Sequence, residues 1–154
     1  MTLSEDPGSL KRFRRTPWRF QQTFLTPLKN LQPFVAAIVS AHERIQAGCV
    51  TIDQVVFEPK HLNALLVKHA LPTQPGKGWS LVGSGEPEVA ELLEATLSDW
   101  LDFIFVPTPK PFVMYADHDE CTTFCANRKS SLNPVVKALL KKGFEKIKNY
   151  ERNL

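Results

Sequence analysis

The stretch that decides the fold covers residues 83–106 and reads GSGEPEVAELLEATLSDWLDFIFV. Over 87–101 its apolar residues recur at helical spacing, which predicts an amphipathic helix with Leu93 in the buried stripe. Pro87 suits the first helical position, and the glutamates beside it suit the positive end of the helix dipole. An apolar strand is predicted directly after the helix, over 103–106. The first three residues of the stretch could offer backbone N–H groups to a phosphate at the start of the helix, but the nearby glutamates would repel that anion. An ordinary turn is therefore predicted there.

Further helices and strands are predicted on both sides of this stretch. The helices cover 33–47, 58–70 and 133–142, and the strands cover 49–57, 79–82, 112–117, 120–126 and 145–150. Alternation in the strand 49–57 changes phase near Asp53, which indicates a β-bulge. Gly143 can end the last helix in a left-handed conformation, with Phe144 touching Leu139. About four helices around strands concentrated in the second half predict an α+β fold with a mostly antiparallel sheet.

The first thirty residues differ from the rest of the chain. They contain three prolines, six basic residues and four aromatic residues. The basic residues lie between 11 and 29, and the aromatic residues lie between 13 and 24. We predict an irregular basic and aromatic N-terminal arm over 1–30, followed by a single α+β domain over 31–154. Because large aromatic rings are rarely left in water, the arm is expected to strap across the domain or to meet a partner.

Composition is typical of one globular domain. Of the 154 residues, 43% are apolar and 23% are charged, which allows a sizeable buried core. No apolar run approaches the length of a membrane-spanning helix, and no apolar segment follows the basic N-terminus as in a secretory signal. The three cysteines, Cys49, Cys121 and Cys125, suggest no disulfide framework. We therefore expect a cytoplasmic protein with reduced thiols, no membrane contact and no cofactor.

Charge is distributed unevenly along the chain. Residues 1–30 carry six Lys or Arg against two Asp or Glu, residues 31–127 carry five against twelve, and residues 128–154 carry eight against two. Basic ends of this kind fold back on the acidic middle or are simply solvated, or else they form a surface for an acidic partner. The first interpretation is favoured, because nothing in the sequence brings the two ends together.

The densest polar cluster is the tip of a predicted hairpin. If His118 and Asp119 form a two-residue turn, Asp117 lies opposite Glu120 and the two carboxylates repel each other. Asp117, Asp119 and Glu120 could supply oxygen ligands to a divalent cation, with His118 as general base of a metal-assisted hydrolase. The competing interpretation is a solvated tip without metal, in which Asp117→Asn or Glu120→Gln stabilises the fold slightly. The solvated tip is favoured, because the cluster matches no established ligand spacing.

Cys121 and Cys125 fall four residues apart on one predicted strand. Four residues of strand span about 13 Å, whereas a disulfide needs Cα atoms within about 7 Å. A role as small apolar core residues is therefore favoured over a disulfide or metal site. In the predicted register they share a face with Thr123 and lie opposite Ala116, Met114 and Phe112.

Residues 11–20 read KRFRRTPWRF and combine cations that suit phosphates with rings that suit base stacking. The same composition suits packing on the protein itself or contact with another protein, and this interpretation is favoured over nucleic acid. The residues expected to contact a partner are Arg12, Arg14, Arg15, Trp18 and Arg19.

No catalytic motif accompanies these features. The leading hypothesis is a small non-enzymatic binding or regulatory protein, immunity-, antitoxin- or adaptor-like, that contacts another protein or itself. Metal-assisted hydrolysis at the acidic cluster and nucleic-acid binding through residues 11–19 are the alternatives. Whether the protein is an enzyme therefore stays open at this point.

Overall fold

Eight β-strands and five α-helices form the described part of the chain, which in this computed structural model comprises residues 1–5, 8–148, 150 and 152. The strands are β1 (Thr2–Glu5), β2 (Phe20–Leu25), β3 (Ala47–Gln54), β4 (Trp79–Ser84), β5 (Asp102–Thr108), β6 (Val113–Ala116), β7 (Cys121–Ala126) and β8 (Lys146–Ile147). The helices are α1 (Ser9–Arg15), α2 (Leu31–Ser40), α3 (Lys60–Lys68), α4 (Gly85–Ser98) and α5 (Lys129–Lys141). This α+β architecture confirms the predicted fold class. Within these ranges no helix is long and apolar enough to span a bilayer.

The described strands join one antiparallel sheet in the order β1-β4-β3-β5-β6-β7-β2-β8. Two of them, β1 and β2, come from the segment predicted to be an irregular arm. β1 pairs with β4, and β2 lies between β7 and β8. The arm therefore contains two strands and one helix. It supplies β2, which is an interior strand of the sheet, and β1, which is an edge strand.

Side chains alternate between the two faces of the sheet. Helices α2, α3, α4 and α5 cover one face, called the helix face, whose fully buried residues include Phe103 and Phe105. Helix α1 lies on the opposite face, called the arm face, where Phe13 contacts a smaller buried cluster with Ile104 and Tyr115. The main core therefore lies under four helices, and a second, smaller cluster lies under the arm.

Helix α4 carries the buried stripe that its sequence predicts. Leu92 and Leu93 are fully buried in the main core. The helix ends at Ser98 rather than at residue 101, because Trp100 takes a left-handed φ of 56° and turns the chain towards β5. The carboxylate of Asp99, at this same end, accepts two backbone N–H groups of α3, so it caps a neighbouring helix.

The predicted turn at residues 83–85 is wrong, because Gly83 and Ser84 are the last residues of β4. A Cβ on Gly83 would lie 3.1 Å from the backbone carbon of Glu88. A side chain at residue 83 would therefore require β4 and the first turn of α4 to move apart by a few tenths of an ångström.

Two local predictions are confirmed. The pairing of β3 with β5 shifts register between Ile52 and Gln54, which places a bulge at the predicted position. After α5, Gly143 has a φ of 84° and the N–H of Phe144 donates to the carbonyl of Leu139 at 3.1 Å. This is the glycine-terminated helix end that the sequence predicts.

The β6–β7 hairpin differs from its predicted register by one residue. Ala116 pairs with Thr122, and the N–H of Asp117 donates to the carbonyl of Cys121 at 3.0 Å. The turn therefore contains three residues, and the last of them, Glu120, takes the left-handed φ of 65° that such turns require. The predicted opposition of Asp117 and Glu120 is wrong.

The same shift changes the neighbours of the two hairpin cysteines. Cys125 pairs with Val113, and Thr123 between the cysteines pairs with Tyr115. No disulfide joins any of the described cysteines. Cys121 and Cys125 do share a face with Thr123, as predicted, and this face is the arm face. The predicted pairing of these residues with Ala116, Met114 and Phe112 is wrong.

Candidate functional site

A groove of about 740 Å³ opens on the arm face between α1 and the sheet. Its floor is largely apolar and comes from β5 and β6, and Thr51 of β3 adds a hydroxyl. Phe13 and Trp18 line its side. Four cationic side chains complete the lining of this basic groove: Lys11, Arg12, Arg15 and Lys110.

Helix α1 is positioned by its own amphipathic pattern. Leu10 and Phe13, three residues apart, are buried against the sheet, so the intervening basic residues point outward. The indole N–H of Trp18 donates to the carbonyl of Phe13 at 3.0 Å and fixes the chain as it leaves the helix. The basic residues of the last turn also suit the negative end of the helix dipole.

Arg14 has a different role from its basic neighbours. Its guanidinium pairs with the buried carboxylate of Asp53 at 2.5 Å, and Asp53 also accepts the Tyr115 hydroxyl at 2.7 Å. The ammonium of Lys77 lies 3.8 Å from the same carboxylate. Burial, with the nearby carboxylate, raises the pKa of Tyr115 well above its ordinary value, so the phenol stays a donor. Arg14 therefore anchors α1 to the sheet.

Among the described residues, three of the four cations that line the groove lack a carboxylate partner of the kind that Arg14 has. In the described part of the chain, no ion pair involves Lys11, Arg15 or Lys110, and all three side chains are exposed. Three cations that have no acidic partner among the described residues lie around an apolar floor. Such a surface attracts an anionic group that also carries apolar atoms.

The structure divides the five residues predicted to contact a partner. Arg12, Arg15 and Trp18 line the basic groove. Arg14 is paired with Asp53, and Arg19 lies near Phe20 and Lys129 on another recess. Lys110 was missed, because only the pairing of β5 with β3 brings the segment after β5 beside α1. Thr51 was missed for the same reason.

The arm's aromatic rings are engaged in packing. Phe13 is buried and stacks on Tyr115, with ring centroids 5.7 Å apart. Trp18 packs against Phe13 at 5.6 Å, and the Lys129 ammonium lies 5.7 Å from the centre of the Phe20 ring. Phe24 is fully buried. These contacts reduce the ring surface that could stack on nucleic-acid bases.

The acidic cluster at the hairpin tip is held by local contacts. One oxygen of Asp117 accepts the N–H groups of Asp119 and Cys121, at 2.9 and 3.2 Å, and the other pairs with Arg152. His118 contacts the buried carboxylate of Asp102 through both its backbone N–H and its Nδ1, each at 2.8 Å. Asp102 had not been predicted, because one carboxylate at the start of an apolar strand gives no signal.

These contacts determine what the cluster can do chemically. The hydrogen bond to Asp102 raises the pKa of His118 above its ordinary value. Asp119 is 80% exposed, and its Oδ1 lies 3.8 Å from Nε2 of His118. Among the described residues, no three His, Cys, Asp or Glu side chains are grouped so that they could hold a metal ion. The arrangement is that of a network that braces the hairpin.

The thiols are placed poorly for nucleophilic chemistry. Burial raises the pKa of Cys125 to about 12. Burial and the Asp117 carboxylate raise the pKa of Cys121 as well. A nucleophilic cysteine needs a lowered pKa, so the structure gives no support to Cys121 or Cys125 as a nucleophile.

Comparisons of the chain with protein-family models, with curated proteins and with solved structures found no match.

Proposed function

We propose that this chain is a non-enzymatic binding protein that holds an acidic segment of a protein partner in the basic groove. The observation that carries the proposal is the set of three cations, Lys11, Arg15 and Lys110, around an apolar floor. A segment that alternates acidic and apolar residues would pair with these cations while burying its apolar side chains. An immunity-, antitoxin- or adaptor-like role is compatible with such a groove.

A protein ligand is favoured over nucleic acid because of the aromatic residues. Base stacking needs exposed ring faces, whereas Phe13 is buried and Trp18 packs against it. A cytoplasmic location is proposed as well, because the number and spacing of the three cysteines suggest no disulfide framework.

The test is a binding titration with a labelled peptide of about twelve residues in which Asp and Glu alternate with Leu. Lys110→Glu should weaken binding at least about tenfold, since an ion pair becomes a repulsion. Lys142→Glu, on the exposed end of α5, is the matched control and should leave binding unchanged. Affinity should also fall as salt rises.

Two outcomes would contradict the proposal. One is equal binding by the wild type and Lys110→Glu. The other is tighter binding of a single-stranded oligonucleotide than of the acidic peptide, with Lys110→Glu weakening the binding of the oligonucleotide. That outcome would assign the groove to nucleic acid instead.

A further inference from the structure

A second site on the arm face already holds a ligand group from the chain itself. The guanidinium of Arg152, in the segment after β8, lies over the ring of Tyr115, with Cζ 4.4 Å from the ring centre. It pairs with Asp117, and its Nε lies 3.4 Å from Thr123 Oγ1. The backbone N–H of Arg152 donates to Gln21 Oε1 at 3.3 Å. The Arg152 side chain is only 13% exposed, so this is an enclosed contact.

The walls of this site are held by contacts that do not involve Arg152. Phe13 stacks on Tyr115 with an interplanar angle of 9°, and the Tyr115 hydroxyl donates to Asp53. Thr123 Oγ1 is 2.8 Å from Thr23 Oγ1 on the neighbouring strand. The ring and the hydroxyl are therefore in place before any guanidinium arrives.

The carboxylate of Asp117 is oriented in the same way. Its Oδ1 accepts two backbone N–H groups of the turn, at 2.9 and 3.2 Å, which leaves Oδ2 directed at the guanidinium. With Arg152 in place the Asp117 side chain is only 10% exposed, so the ion pair is largely shielded from water. A fixed carboxylate, an aromatic face and a hydroxyl are what a planar guanidinium requires, and an ammonium uses them less well.

We infer that β6 and β7 carry an arginine-binding site, that Arg152 is its intramolecular occupant, and that an arginine side chain of a partner peptide can take its place. This site has the opposite charge preference to the basic groove and does not depend on it. Arg152 competes as a tethered ligand, with an effective concentration of the order of millimolar. A partner arginine should therefore bind the wild type more weakly than a variant that lacks Arg152.

The first experiment follows thermal unfolding of full-length Arg152→Ala with and without about 20 mM methylguanidinium. The additive should raise the midpoint of Arg152→Ala by more than that of the wild type, in which Arg152 competes for the site. Methylammonium should have a smaller effect, and the double variant Asp117→Asn, Arg152→Ala should lose the response. No rise in Arg152→Ala, or an equal rise with methylammonium, would overturn the inference.

The second experiment separates a free guanidinium from a peptide arginine. A labelled peptide with one central arginine should bind Arg152→Ala at least about tenfold more tightly than the wild type. The same peptide with lysine should bind neither protein measurably. Arg152→Lys replaces Arg152→Ala if the alanine variant does not fold, and the arginine peptide should then displace the lysine. Equal affinities of the peptide for variant and wild type would overturn the inference.

Discussion

The two faces of the sheet are stabilised in different ways. On the helix face, aliphatic and phenylalanine side chains such as Leu93, Phe103 and Phe124 are fully buried and pack against one another. On the arm face, hydroxyl pairs and buried carboxylates lie among a few apolar residues, as in the 2.8 Å contact of Thr51 with Ser80. Packing is non-directional, whereas polar pairs must match in geometry and charge. The helix face therefore depends mainly on apolar packing, whereas the arm face carries the directional polar contacts and the proposed binding groove.

The helix face can be tested by removing one of its central side chains. Leu93→Ala should lower the free energy of unfolding by about 2–5 kcal/mol, because a fully buried leucine is replaced by a cavity. Denaturant unfolding of wild type and variant measures this loss. Val67→Ala, on an exposed side chain of α3, is the control and should change little. A loss below about half a kcal/mol for Leu93→Ala would contradict the burial.

The arm face should respond locally to the equivalent change. Phe13→Ala removes the ring that joins α1 to Tyr115, so it should release α1 from the sheet before the main core unfolds. Its effect on global unfolding should be smaller than that of Leu93→Ala. Hydrogen exchange should accelerate at α1 amides such as Arg12 and Thr16 and remain slow in β3. Uniform acceleration across both regions would show that the two faces form one cooperative unit.

The hairpin tip offers a smaller test of the arm face. Glu120 holds a left-handed φ of 65°, which costs an L-residue with a side chain roughly 1–2 kcal/mol. Glu120→Gly should relieve part of this strain and stabilise the protein by about 0.5–1 kcal/mol. Asp119→Gly, at a neighbour outside the left-handed region, should destabilise it slightly. The melting midpoints of the two variants should therefore move in opposite directions, and a parallel shift would contradict the turn geometry.

The smallest effect is expected from His118, whose side chain is partly exposed. Its pKa is raised in the folded protein, so its contact with Asp102 stabilises fully below the unfolded value of about 6.5. That contribution is lost as the pH rises through the higher folded value. The midpoint difference between wild type and His118→Gln should therefore be larger near pH 5.5 than near pH 9. A difference that does not depend on pH would mean that the pair is not charged.

Local patterns predicted the helix face better than the arm face. The stripe of α4, the bulge of β3 and the end of α5 depend on residues close together in sequence, and each was found in place. Strand β2 was missed, because its partner β7 lies about a hundred residues away and no local alternation marks the pairing. Asp53 and Asp102 were missed because burial of a single carboxylate depends on partners from other elements.

The candidate sites show the same division. The basic residues of the arm were recognised as a group, but the exposed and paired members could be separated only once Arg14 was seen to contact Asp53. The predicted pair of Asp117 and Glu120 depended on a two-residue turn, and one extra turn residue directed Asp117 to Arg152 instead. A single step in register is enough to exchange the partners of every side chain in a hairpin.

Because β2 lies between β7 and β8, it can pair with its neighbours only after those later strands have been synthesised. Thr23 meets Thr123, exactly one hundred positions later in the chain. At a translation rate of about 5–20 residues per second, β2 waits about 5–20 s for its partner β7 to be made. During that interval Phe24, later fully buried, is exposed to solvent. The nascent chain should therefore depend on holdase chaperones that shield β2 until the β6–β7 hairpin emerges.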